Sequence, residues 1–193
     1  MKNYKPKTPG RRGMSTVSYK NVLTASEPHK ALSKGVHRSV GRNHHGRITT
    51  RHKGGGHKRL YRDIDFRYDK HDIPARVETI EYDPNRSGFI ALVCYEDGER
   101  RYVLAPQKLK VGDTFLVSAK AKLKVGNRMP LMGIPIGTFV YNVELKPNGG
   151  AKIARSGGSH VEVIANDAGY VHLKMPSTEI RKVLATAWAS VGE

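Results

Sequence analysis

Phe89-Ile90-Ala91-Leu92-Val93-Cys94-Tyr95, followed by Glu96-Asp97-Gly98-Glu99 and then Arg101-Tyr102-Val103-Leu104, reads as two strands joined by a tight turn. An unbroken apolar run this short suits a strand covered on both faces. Asp-Gly supplies the positive φ that a tight hairpin requires, and Pro106 stops the returning strand. Upstream, Arg76 to Tyr82 alternates apolar and charged residues until Asp83-Pro84-Asn85-Arg86-Ser87-Gly88 breaks it. Downstream, the turn Lys110-Val111-Gly112-Asp113 leads into Thr114–Ser118. Four or five strands of this length suit a small closed barrel, placed here over residues 63–119. Cys94, inside the apolar run, is expected as a small core residue rather than a nucleophile.

Residues 120–135 are rich in Gly, Pro and Met and predict an irregular linker. A second strand series covers Thr138–Leu145, Val161–Ala165, Tyr170–Lys174 and Ile180–Leu184, with turn residues between. It predicts a further all-β module over residues 136–193, of SH3-like size. Ala185–Val191 is compatible with a last strand or a short helix.

Residues 1–62 differ in kind. They hold 16 Lys or Arg and a single acid, Glu27, a net +15 of the chain's +17. Like charge at this density opposes compaction until a polyanion neutralises it. Their 15 apolar residues follow no sustained pattern and cannot offset about 1–2 kcal/mol of backbone entropy per residue. The expectation is an extended polycation that is disordered alone and ordered on nucleic acid. The lone cysteine excludes an intramolecular disulfide framework and suits a reducing compartment. No apolar stretch reaches membrane-spanning length, and the start lacks the apolar core of a secretory signal, so a soluble intracellular protein is expected.

The candidate contacts lie in Arg42, His44, His45 and Arg47, in Arg51 and Lys53, and in His57, Lys58 and Arg59, with Arg11 and Arg12 nearer the N-terminus. Arginine offers a planar fork matched to phosphate oxygens, and histidine stacks on bases or donates to phosphate. Interleaved glycines let the backbone approach closely. This mixture fits threading between RNA helices better than reading a DNA groove. The spacing of His37, His44, His45, His52 and His57 matches no zinc finger, and Gly54-Gly55-Gly56 lacks the ending of a P-loop. No paired carboxylates and no Ser/His/Asp constellation suggest catalysis. Arg86 and Arg155 stand in loops beside glycine, where spacing alone favours ordinary surface residues.

Several stretches together resemble the ribosomal protein L-two family of the large subunit. They are Lys5-Pro6-Lys7-Thr8-Pro9-Gly10, Gly41 to Thr49, Arg51 to Lys58, Tyr61 to Phe66, Tyr82 to Ser87, Gly133 to Thr138 and Asn142 to Pro147. The resemblance implies a basic extension, an OB-type barrel and an SH3-like barrel. It implies a primary binder of large-subunit (23S-type) rRNA near the peptidyl transferase region that supports subunit association, tRNA binding and translation. Its implied partners are that rRNA, other ribosomal proteins and small-subunit rRNA at the subunit interface, with no membrane and no small-molecule substrate. No cofactor is implied beyond Mg2+ accompanying the rRNA. A bacterial cytoplasmic ribosome is the implied setting, and an organellar one is compatible. The family's rRNA-binding arginines fall on Arg86 and Arg155.

Three departures accompany the match. The family's Pro-His-Gly-Gly-Gly-Glu-Gly-Arg loop is absent from these 193 residues, so the debated contribution of its histidine to peptide-bond formation is not expected of them, and no enzyme is expected. Pro147-Asn148-Gly149-Gly150-Ala151 departs from the usual Pro-Gly-x-Gly-Gly, and Thr178 replaces a turn glycine. The competing reading is a general nucleic-acid chaperone, which would bind DNA and RNA equally and be indifferent to Arg86→Ala.

Overall fold

In the computed structural model, which describes all of residues 1–193, the chain is built from β-strands and short 3-10 turns, with no α-helix. Two small antiparallel ribbons come first, pairing β1 (Lys2–Asn3) with β2 (Ser15–Thr16) and β3 (Ser33–Gly35) with β4 (Leu60–Arg62). The first barrel-like sheet comprises β5 (Ala75–Glu81), β6 (Ile90–Tyr95), β7 (Arg100–Leu104) and β8 (Thr114–Phe115), in the order β7-β6-β5-β8. The second comprises β9 (Arg128–Pro130), β10 (Phe139–Tyr141), β11 (Val161–Asp167), β12 (Tyr170–Lys174), β13 (Ile180–Leu184) and β14 (Trp188–Val191). Its order is β13-β12-β11-β10-β14-β9.

The β6–β7 hairpin explains its own sequence. Ala91, Val93 and Tyr95 enter the core of the first barrel, while Ile90 and Leu92 enter a second cluster with Ile64, Tyr102, Leu104 and Tyr141. Both faces are covered, which is why alternation is missing. Gly98 takes φ 87° at the turn, and Asp97 Oδ1 accepts the Glu99 amide. Cys94 is half-buried rather than fully enclosed, and its thiol donates to the Tyr95 carbonyl. Irregular registers at Val77/Thr79 in β5 and at Val163/Ala165 in β11 are the bulges that help each sheet curl.

The stretch 120–135 is less irregular than its composition predicts. Its second half supplies β9, paired with β14, and Met129, Leu131 and Ile134 are buried in the second core. Residues 188–191 form a strand, which settles the alternative left open by the sequence. Tyr141 joins the cluster beside β6, and Ala151 packs into the first barrel's core, so the two barrels share apolar surface.

Within residues 1–62 only Arg62 is buried. Even so, parts of the segment are fastened to the first barrel. Thr24 exchanges hydrogen bonds with the Ile80 backbone, and the His29 amide donates to Tyr102 Oη at 2.7 Å. Tyr102 Oη in turn donates to buried Glu81 at 2.6 Å. Residues 36–59, between β3 and β4, carry no buried side chain.

Thr178 sits at φ 70° in the turn between β12 and β13, its amide bonded to the Met175 carbonyl. A β-branched residue is strained there. Thr178→Gly is expected to raise stability by about 1 kcal/mol, read by denaturant titration; an unchanged midpoint would mean the turn relaxes without cost. At Pro147–Ala151 the turn closes with Asn148 at φ 59° and Gly150 at φ 72°, and asparagine tolerates the left-handed conformation.

Candidate nucleic-acid interface

Arg86 and Arg155 come from different barrels and meet over one aromatic ring. Arg86 Cζ lies 5.7 Å from the centroid of Phe66, and Arg155 Cζ lies 4.8 Å from it. Arg86 follows β5, in the turn whose Asp83 Oδ1 accepts the Asn85 amide. Its Nε donates to Asp83 Oδ2 at 2.6 Å, and that carboxylate is completely buried. The Arg86 side chain is only 18% exposed, less than a surface loop suggests, but its charge is paired and neither terminal Nη has a protein partner. Asp83 also faces Arg62 Nη1 at 3.8 Å, while Asn85 Nδ2 reaches back to the Leu60 carbonyl. The end of the basic extension is therefore tied to the turn that carries Arg86.

Arg155 is exposed and has neither an ion pair nor a side-chain hydrogen bond. Ala154, just before it, holds φ 52°, a costly conformation for alanine that sets the direction of the following side chain. The loop after Arg155 lies against the Arg86 loop, with the Gly157 amide donating to Ser87 Oγ at 3.0 Å. A Cβ on Gly157 would press to 3.0 Å from the Ser87 carbonyl oxygen, so a side chain there would crowd the Ser87–Gly88 backbone.

The other candidate residues lie in the extension and are all exposed. Arg42, His44, His45 and Arg47 occupy a loop closed by the Arg42–Ile48 bridge, inside which Asn43 Oδ1 accepts the His45 and Arg47 amides. The His44 and His45 rings lie 3.8 Å apart. Gly41, at φ 78°, lies so close to the Thr50 carbonyl that a Cβ would collide with it. Arg51 and Lys53 follow this loop, and His57, Lys58 and Arg59 lead into β4. Arg11 lies in the turn Pro9–Arg11, over the Tyr4 ring, with Arg12 next to it. The structure does not bring these residues into one pocket. They share a charge state: Arg11, Arg12, Arg42, Arg47, Arg51, Lys53, Lys58 and Arg59 have no carboxylate partner. Three cations of the first barrel are paired instead.

Arg101 binds Asp65, Asp69 and Glu99; Lys70 binds Asp97 and Glu99; Arg100 binds Glu78. Hydrogen bonds from Arg101, Lys70 and Arg100 hold Asp69, Glu99, Asp97 and Glu78 below the ordinary carboxylate range. Depressed carboxylates stabilise the fold above their unfolded-state values, and that contribution disappears as pH falls through the lower folded values. The melting temperature is expected to hold from neutral pH to about pH 5 and to fall below about pH 4.5. The fall should be smaller in Arg101→Gln and at high salt, because these groups are largely exposed. An identical acid profile in that variant would remove the cluster from the explanation.

Sequence reasoning missed the polar joint between the barrels. Arg128 and Glu144, 1% and 3% exposed, pair at 2.9 Å. Arg128 also donates to the Asn142 carbonyl at 2.7 Å and lies 4.6 Å from the centroid of Tyr68, a first-barrel residue. Asn142 Nδ2 donates to Tyr68 Oη at 2.8 Å, and burial pushes that hydroxyl up to about 12. Phe66 and Asp83 were missed as parts of the site; only their place in the quoted stretches marked them.

Residues 29–118 match the family of the Ribosomal Proteins L2, RNA binding N-terminal domain, and residues 124–193 match the Ribosomal Proteins L2, C-terminal domain. The chain belongs to the uL2 family of large-subunit ribosomal proteins. It is 51% identical over 192 residues to the large ribosomal subunit protein uL2 of Parvibaculum lavamentivorans, an alignment covering 100% of this chain and 69% of that relative. Identity to the uL2 protein of a Ruegeria species is also 51%, covering 100% and 68%. With the protein of Ruegeria pomeroyi it is 50%, over the same shares. Membership in uL2 gives the chain a structural role in the large ribosomal subunit rather than an enzymatic one. The first matched domain carries Phe66 and Arg86, and the second carries Arg155, so the arginine pair spans both halves of the uL2 match.

Proposed function

We propose that this chain binds large-subunit (23S-type) rRNA directly, with Arg86 and Arg155 as a composite phosphate- or base-edge contact and the extension as a largely unpaired polycation around it. The observation that carries this reading is that both arginines, one from each barrel, lie over the Phe66 ring with free Nη donors. Arg155 has no carboxylate partner and Arg86 keeps both Nη groups outside its pair with Asp83, and such free guanidinium donors are matched to phosphate oxygens. Arg11, Arg12, Arg42, His44, His45, Arg47, Arg51, Lys53, His57, Lys58 and Arg59 supply the electrostatic part, being exposed and distributed along glycine-containing loops.

The barrels then act as a rigid frame that fixes the arginine pair, while residues 36–59 enter crevices between RNA helices. The finer placement rests on the family resemblance: near the peptidyl transferase region, supporting subunit association and tRNA binding, with small-subunit rRNA and other ribosomal proteins as neighbours. The setting is a bacterial cytoplasmic ribosome, by analogy with the uL2 proteins it matches. For about eight phosphate contacts, the slope of log K against log salt is expected near −6 to −7. A filter-binding titration over salt concentration measures it, and a flat dependence would contradict the proposal.

A further inference from the structure

Arg86 and Arg155 come from separate domains, and only Arg86 has a carboxylate to hold it. Phe66 is the element both share. Its carbonyl accepts the Ala151 amide at 2.7 Å, and Gly150 lies so close that a Cβ there would stand 2.9 Å from that oxygen. The backbone of Phe66 is thus pinned to the second-barrel segment that continues towards Arg155. Its half-buried ring packs on apolar clusters of the first barrel. An aromatic face attracts guanidinium charge without consuming any N–H donor. Arg155 therefore keeps all its donors, and Arg86 keeps both Nη groups.

We propose that Phe66 is a positioning residue for RNA contact: its ring holds Arg86 and Arg155 at a fixed separation, and so makes one site from two barrels. This rests on the RNA reading of the arginine pair. It adds that the affinity contributed by the pair depends on a residue that itself makes no contact with RNA.

The test uses the full 193-residue chain with Phe66→Leu and Phe66→Met, which keep apolar volume, and Phe66→Tyr, which keeps the ring. Each is made alone and in the Arg86→Ala/Arg155→Ala background. Phe66→Leu is expected to weaken binding to large-subunit rRNA about tenfold. Phe66→Tyr should retain binding, and Phe66→Leu should cost nothing further when both arginines are gone. Without RNA, the Hε signals of Arg86 and Arg155 should lose their ring-current shifts in Phe66→Leu; Phe66→Met serves if the leucine variant does not fold. An equal loss from Phe66→Leu with and without the arginines would overturn the inference, since the ring would then act on RNA itself. Affinity unchanged by Phe66→Leu, in a protein where the double arginine variant does lose it, would overturn the inference alone. Full affinity in the double arginine variant would overturn the RNA reading and the inference with it.

Discussion

Glu144→Ala is expected to cost about 3–5 kcal/mol of folding stability, a fall in melting temperature of roughly 6–20 °C. The substitution leaves the Arg128 guanidinium enclosed, with only the Asn142 carbonyl and Ser190 hydroxyl as hydrogen-bond acceptors. It also removes the acceptor for the Asn148 and Trp188 amides, freeing the loop that leads towards Arg155. An isolated buried charge is far more costly than a buried pair, so Arg128→Met/Glu144→Leu is expected to be much closer to wild type than Glu144→Ala. Calorimetry of the three proteins measures the effect. A loss below about 1 kcal/mol in Glu144→Ala would mean that water reaches the pair and that the joint between the barrels is not dry.

The second large effect concerns charge. Replacing Arg38, Arg42, Arg47, Arg51, Lys53, Lys58 and Arg59 with glutamine leaves the barrels untouched, because all seven are exposed and have no carboxylate partner. At about 0.7 counterions released per single-stranded phosphate, the salt slope is expected to become shallower by about 5. Affinity at low salt should fall by several orders of magnitude, while the melting temperature stays put. The comparison requires only titrations at three or four salt concentrations. An unchanged slope would show that these residues do not meet phosphates.

Much of this architecture was legible because its physics is local. The β6–β7 hairpin, β12 and β13 are bounded by turn residues and carry apolar runs or alternation, so period and punctuation located them. The polycation was legible from charge alone. Local pattern could not find β9, because Arg128 at its start reads as a surface residue. Its neutralising partner, Glu144, lies sixteen positions away and becomes a neighbour only when the sheet forms. Asp83 was read as part of a strand break, and nothing nearby in sequence reveals that it is completely buried beneath Arg86. The meeting of Arg86 with Arg155 was inaccessible for the same reason, since 69 positions separate them. Cys94 shows the opposite error: its run suggested full burial, yet the hairpin turn just beyond leaves it half open. Thr178 was flagged as an ill-suited turn residue, and its positive φ bears this out.

Binding of the intact chain and of its Arg86→Ala/Arg155→Ala variant to large-subunit rRNA, against unrelated RNA of equal length at about 0.15–0.3 M salt, tests the central claim most directly. The expected result is a strong preference for the rRNA in the intact chain and a loss of about 100-fold or more in the variant, with weak binding to the unrelated RNA little changed. Equal binding to both RNAs, unaffected by the two substitutions, would reduce the protein to a general polycation and contradict the assignment of the composite arginine site.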